Sequence, residues 1–260
     1  MNTVYQNPPP IALILAAGLG TRLGQITHNC PKCLVQVNDQ PILSRILQSL
    51  EDCGVKEIVI VLGYRHEQVQ EFLKNLESTL SIKTVVNQRF AETGTAISLQ
   101  MGLTLVPRQR DVLVIEGDMV FESELVARVL AVERKNLSVL APYSPEIDTN
   151  GSFAKCSSDG YVIGLYHASA RPLDFSFENA WKTVNLYLLR EGNWETILLT
   201  AIDTTLKRWD STAPLEYAMQ TWIEAGKLPL MAFNVGLSQW FEIDTPSDLA
   251  EAERHFICSN

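Results

Sequence analysis

Between Gly18 and Lys32 the chain sets three glycines (Gly18, Gly20 and Gly24), an arginine (Arg22) and a lysine (Lys32) directly behind an apolar run. Residues without a Cβ let backbone N–H groups turn toward an anion, and the Arg22 guanidinium adds a fork of donors to the same loop. Lys32 follows Pro31, whose fixed φ limits how the lysine approaches. The spacing G-x-G-x-x-x-G departs from the dinucleotide fingerprint, because Leu23 stands where the third glycine belongs, and no G-x-x-x-x-G-K-[ST] run exists. Two permanent cations beside a glycine turn suit a triphosphate better than a nicotinamide dinucleotide. The same stretch contains Cys30-Pro31-Lys32-Cys33, formally a CxxC. A zinc site needs a second ligand pair, yet Cys53, Cys156 and Cys258 stand apart, and the four histidines (His28, His66, His167, His255) are scattered singly. A redox CxxC sits where a strand enters a helix, whereas apolar "CLVQV" follows here. Metal and redox use of the pair are therefore set aside.

The elements that must hold these residues follow from hydrophobic period. "IALILA" (11–16), "EIVIVLGY" (57–64), "IKTVVN" (82–87), "DVLVIEGD" (111–118) and "LSVLAPY" (137–143) are apolar runs of strand length. Between them, 42–54, 67–78, 95–105 and 122–134 have helical spacing, the first ending at Gly54. Strands alternating with helices predict a mostly parallel sheet covered on both faces, with ligands outside the carboxyl ends of the strands. Beyond residue 150 the pattern changes to antiparallel strands ("SFAKCS", "GYVIGLYHAS", "WKTVNLYLLR"), helices near 193–206 and 214–225, then "QWFEID" and a last helix. We expect a flexible arm over 1–10, where three consecutive prolines lie, and one domain over 11–260.

A net charge of −9, from 21 basic and 30 acidic residues, argues against nucleic acid or an anionic membrane as partner. No apolar run approaches the ~20 residues of a membrane span, and the N-terminus has no signal-peptide pattern. A cytoplasmic protein is the expectation, and a homo-oligomer is compatible with the sequence.

The stretch "LAAGLGTRLGQITHNCPKCLVQV" resembles the signature of the nucleotidyltransferase superfamily that activates sugar phosphates and alcohol phosphates. Its pattern is L-A-A-G-x-G-[ST]-R-[LM] followed by P-K-x-L-[VL]-x-[VI]. The likeness continues through "ETGTAISL" (92–99), "VIEGDMVF" (114–121), "WKTVNLYLL" (181–189) and "WFEIDTPSDLAEAE" (240–253), so it covers nearly the whole chain. The last two motifs are most similar to bacterial phosphocholine and aminoethylphosphonate cytidylyltransferases. The resemblance implies an α/β, Rossmann-like three-layer nucleotidyltransferase fold with a mostly parallel mixed central sheet and a C-terminal antiparallel and helical extension on the substrate side. It implies a Mg²⁺-dependent cytidylyltransferase that moves CMP from CTP to a small phosphoalcohol or phosphonate and releases pyrophosphate. A sugar- or inositol-phosphate nucleotidyltransferase using UTP, dTTP or CTP is the alternative, and a non-catalytic nucleotide-binding paralogue is a third.

By that resemblance, Arg22 and Lys32 serve catalysis, and Ala16, Ala17, Gly18, Gly20, Thr21, Asn87, Gly94 and Thr95 join them in binding nucleotide. Asp118 and Asp244 would hold Mg²⁺; their competing role is a turn or helix cap, which Asp244 before "TPSDL" would suit. Lys182 is the candidate for the acceptor's phosphate or phosphonate. Tyr187, Tyr217 and Trp240 with Glu216 would make a box for an amine or quaternary ammonium, or else simply core. Loss of Lys32, as in Lys32→Ala, is expected to collapse turnover by weakening triphosphate placement and to leave the melting temperature nearly unchanged.

Overall fold

The computed structural model describes residues 8–133, 135–144, 151–190 and 192–256. Most of the expected N-terminal arm and Cys258 lie outside that set. The arm's last residues are anchored: Pro10 is buried, and the Pro9 carbonyl accepts a hydrogen bond from Arg110.

A run as apolar as Ile11–Ala16 requires cover on both faces, and it has it. The strand lies parallel between Val112–Glu116 and Glu57–Leu62, with Ser81–Val86 at the edge beyond. Its side chains alternate. Ala12 and Ile14 enter a core built with helices Ile42–Asp52, His66–Lys74 and Ser123–Leu130. Ile11, Leu13 and Leu15 enter a second core with Thr95–Leu103, Trp194–Trp209 and Leu215–Ala225. Helices on both faces of one sheet make the three layers.

Past residue 137 the nine-stranded sheet turns mixed. Ala180–Leu189 runs antiparallel to Leu137–Pro142 along one edge and, along the other, to Val112–Glu116 through Leu186–Leu189 and to Phe153–Cys156 through Ala180–Lys182. Val162–Tyr166 pairs with Phe153–Cys156. Within Ala180–Leu189 the register shifts between Thr183 and Tyr187, and Asn185 holds a left-handed φ of 55°. An irregularity of this kind re-aims side chains next to a site.

Four short strands are absent from the sequence reading, of which Gln36–Val37 and Gln40–Pro41 pair with each other in a small hairpin. Met231–Asn234 adds in parallel to Leu137–Pro142. Met119–Phe121 pairs with Trp240–Glu242 in a separate ribbon. All four are too short to show a period. The ribbon matters for function, because the Ile243 N–H donates to the Asp118 carbonyl and so brings Asp244 alongside Asp118. Among the described residues, no helix is long and apolar enough to cross a membrane.

Candidate active site

The glycine turn follows the first strand as expected. Gly20 adopts a left-handed conformation (φ 65°), and a Cβ there would press on the Lys32 and Thr27 side chains at 3.1 Å. Thr27 Oγ1 donates to the Gly20 carbonyl at 2.7 Å, which fixes the turn from below. Gly18 differs, since a Cβ added to it would meet nothing within 4 Å. It lines a cavity of about 110 Å³ together with Ala16, Ala17, Lys32, Phe90, Thr93, Gly94, Thr95 and Ser98.

Lys32 crosses to the far wall of the cleft. Its Nζ donates at 2.6 Å to Asp118 Oδ2 and at 2.6 Å to Asp244 Oδ1, and Arg22 reaches the same Asp244 oxygen at 2.7 Å. Burial opposes the charge on Lys32, but the two carboxylates outweigh it and raise its pKa. Asp244 feels burial upward, and Lys32 and Arg22 bring it below its usual range. Lys32 thereby fastens the glycine loop to two strand ends, which argues against the expectation that its loss leaves the melting temperature nearly unchanged.

Asp244 does not cap the last helix. Thr245 and Asp248 form a reciprocal capping box at the start of Pro246–His255, and the Asp244 N–H donates to Asp248. The Asp244 carboxylate is left to face the cleft. Asp118 carries a different signal: its Oδ1 is buried and has no hydrogen-bond partner among the described residues. One oxygen from each of Glu116, Asp118 and Glu242 lies within 4.8 Å of the others. A set made only of carboxylate oxygens, beside an orphaned one on Asp118, fits a hard divalent cation. Burial pushes Glu116 well above the carboxylate range, and Glu216, Asp118 and Glu242 push it further. Glu242 is raised by burial against the pull of Lys182.

These acids open onto a second, larger cavity of about 660 Å³, bounded also by Arg22, Gly151, Ser152, His167, Asn185, Thr212 and Pro214. Gly94 and Thr95 line both cavities. Gly94 owes its lack of a side chain to packing. A Cβ there would collide with the backbone carbonyl oxygens of Thr212 and Ala213, and the Gly94 N–H donates to the Ser211 carbonyl at 2.8 Å. Thr95 Oγ1 accepts from the Leu215 N–H at 2.8 Å. Gly94→Ala must therefore displace the 211–214 segment, at about 3 kcal/mol. A thermal midpoint within about 1 °C of wild type would contradict this packing.

Several expected residues lie off the cleft surface. Asn87 is buried, its amide donating to Thr93 and Ser98 and its carbonyl accepting from the Arg89 N–H, so it braces the 87–93 turn. Lys182 sits beneath Gly151 and pairs with Glu242 at 3.0 Å. The aromatic box does not assemble. Tyr187 is wholly in the core, and burial raises its phenol pKa. Trp240 packs against the opposite core from the ribbon. Tyr217 joins Trp209 around a neighbouring cavity. Only Glu216 of that group faces the large cavity, accepting a hydrogen bond from Ser152 at 2.8 Å. Glu116, Glu242, Ser152 and Asn185 escaped the sequence reading. Glu116 and Glu242 stand two residues before Asp118 and Asp244, a repeated E-x-D that is the one signal available.

Helices on both faces of a mixed, mostly parallel sheet, with a glycine turn facing paired acids at its strand ends, define a nucleotidyltransferase of the three-layer type. The chain belongs to the family with the MobA-like NTP transferase domain, whose model matches residues 12–172. It is 31% identical over 258 residues to CMP-5'-(3-aminopropyl)phosphonate synthase of Streptomyces rubellomurinus; the match takes in 98% of this chain and 40% of that protein, so the chain spans well under half of it. It is 29% identical over 241 residues to choline-phosphate cytidylyltransferase of Haemophilus influenzae, across 91% of this chain and 93% of the other. Its fold matches the inositol-1-phosphate CTP transferase from T. maritima with a TM-score of 0.75 at 20% identity, over 96% and 97% of the two chains.

Proposed function

We propose that the protein is a Mg²⁺-dependent cytidylyltransferase that transfers CMP from CTP to a small phosphoalcohol or phosphonate. The observation that carries this reading is the meeting of Arg22 and Lys32 with Asp118 and Asp244 where a cavity walled by the glycine loop opens into an acid-walled one. Two of the relatives matched over nearly this whole chain have names that point to cytidylyl chemistry on a phosphonate or choline phosphate.

In the reaction an acceptor phosphoryl or phosphonyl oxygen attacks the α-phosphorus of CTP. One O–P bond forms, the bond from the α-phosphorus to the bridging oxygen breaks, and pyrophosphate leaves with that electron pair. Two anions must approach in line, so positioning and charge neutralisation are the protein's main contributions. Arg22 and Lys32 would leave the aspartates for the triphosphate, with backbone N–H groups of the Gly18–Gly20 turn beside them. Asp118, with Asp244 or with Glu116 and Glu242, would hold the magnesium, which supplies Lewis-acid neutralisation of the phosphates.

Pyrophosphate release from each of the four common triphosphates, against phosphocholine, 2-aminoethylphosphonate, 2-hydroxyethylphosphonate, inositol phosphate and glucose 1-phosphate, tests the reading. Turnover with CTP and a small phosphoalcohol or phosphonate is the expected result. Turnover confined to sugar or inositol phosphates, or none at all, would reject it.

A further inference from the structure

The large cavity presents a charge that the transfer reaction itself does not use. Glu216 lines it and is only 6% exposed. Among the described residues its carboxylate has a single partner, the neutral Ser152 hydroxyl, and no cation. Glu242 is different, since Lys182 sits on it at 3.0 Å. A buried carboxylate without a counter-ion is costly, and the cost is recovered when a cation arrives from outside the chain. The phosphate-binding cations of the cleft, Arg22 and Lys32, are engaged with Asp244 and Asp118 and do not reach Glu216. Ser152 also fixes the carboxylate's direction, because the residue is itself buried and its backbone carbonyl accepts from the Thr183 N–H.

The wall also says what kind of cation fits. Among the described residues lining this cavity none is Phe, Tyr or Trp. The ring pair Tyr217 with Trp209 lines a neighbouring cavity, which shares His167 with this one. A quaternary ammonium has no N–H to donate and is recognised by aromatic faces. A primary ammonium has three donors and is recognised by oxygens that accept them, most strongly by a carboxylate.

We propose that the acceptor carries a primary ammonium group, and that Glu216, oriented by Ser152, selects it over the trimethylated equivalent. The proposal rests on the reading of this cleft as a cytidylyl-transfer site. The acceptor is then bipolar, with an anion that reaches the α-phosphorus and an unmethylated amine directed away from it to Glu216.

The test is pyrophosphate release from CTP with three matched acceptors: 2-aminoethylphosphonate, its N,N,N-trimethyl derivative and 2-hydroxyethylphosphonate. The wild-type protein should prefer the primary amine to the trimethyl compound by about 100-fold in kcat/KM. In Glu216→Gln the ratio of kcat/KM for amine over hydroxyl should fall by about 50-fold, through acceptor KM, with KM for CTP unchanged. Ser152→Ala should shift the ratio in the same direction by less. Because each ratio is internal to one preparation, partial misfolding of a variant cancels. A trimethyl acceptor that equals the amine, or a ratio unmoved by Glu216→Gln, overturns the assignment while cytidylyl transfer stands. Absence of pyrophosphate release with all three acceptors overturns the transfer reading and this proposal with it.

Discussion

Lys32→Met should lower turnover about a thousand-fold and also destabilise the metal-free protein by about 2 to 3 kcal/mol. The first effect follows from the proposed role, since an ammonium between the strand-end acids and the triphosphate neutralises charge in the transition state. The second follows from geometry alone. Lys32 Nζ holds Asp118 and Asp244 at 2.6 Å each, and their side chains are only 18% and 13% exposed. Methionine fills the same volume but leaves two partly buried carboxylates facing each other with only the exposed Arg22 to share. Because water reaches both acids, the loss falls short of that for a fully buried pair. Melting in a chelator and again in excess Mg²⁺ separates the two effects. The midpoint should drop by about 5 °C in chelator and recover with the cation. A midpoint equal to wild type in chelator would show that the lysine does not hold the two acids in solution.

The parallel half of the fold was legible because its strands are covered on both faces, so apolar runs such as Ile11–Ala16 and Glu57–Leu62 stand out without any partner information. The same logic placed the glycine turn and Asp118 at one sheet edge. The acid-walled cavity was not legible. Glu116 belongs to the sheet through its own strand, but Asn185 reaches the site only because the register shifts inside Ala180–Leu189. Glu242 arrives through a three-residue ribbon that has no periodic signature. Serine at 152 and glutamate at 216 meet from a strand start and a helix start 64 positions apart. Such meetings depend on tertiary register, which a single sequence does not encode locally. The aromatic box failed for a related reason, since Tyr187 and Trp240 are large enough to be needed by the two cores.

Asp118→Asn should reduce kcat/KM by about a thousand-fold or more and abolish the stimulation of activity by Mg²⁺. Asp118 belongs to both arrangements proposed for the ion: the pair with Asp244 across Lys32, and the cluster with Glu116 and Glu242. Its Oδ2 is committed to Lys32, whereas its buried Oδ1 has no hydrogen-bond partner among the described residues, and a buried acceptor left bare suits a ligand to a cation. Asparagine keeps the size and one acceptor for Lys32, so the ligand-free chain should fold; what disappears is the negative charge. Calorimetric titration of Mn²⁺ in the presence of CTP reads the loss without relying on turnover. The two arrangements then separate through their unshared members. Asp244→Asn should weaken Mn²⁺ binding more than Glu242→Gln if the pair holds the ion, because Glu242 is already balanced by Lys182. The opposite order would assign the ion to the Glu116–Asp118–Glu242 cluster. Unaltered Mn²⁺ binding in Asp118→Asn would remove both arrangements and with them the metal's place at these strand ends.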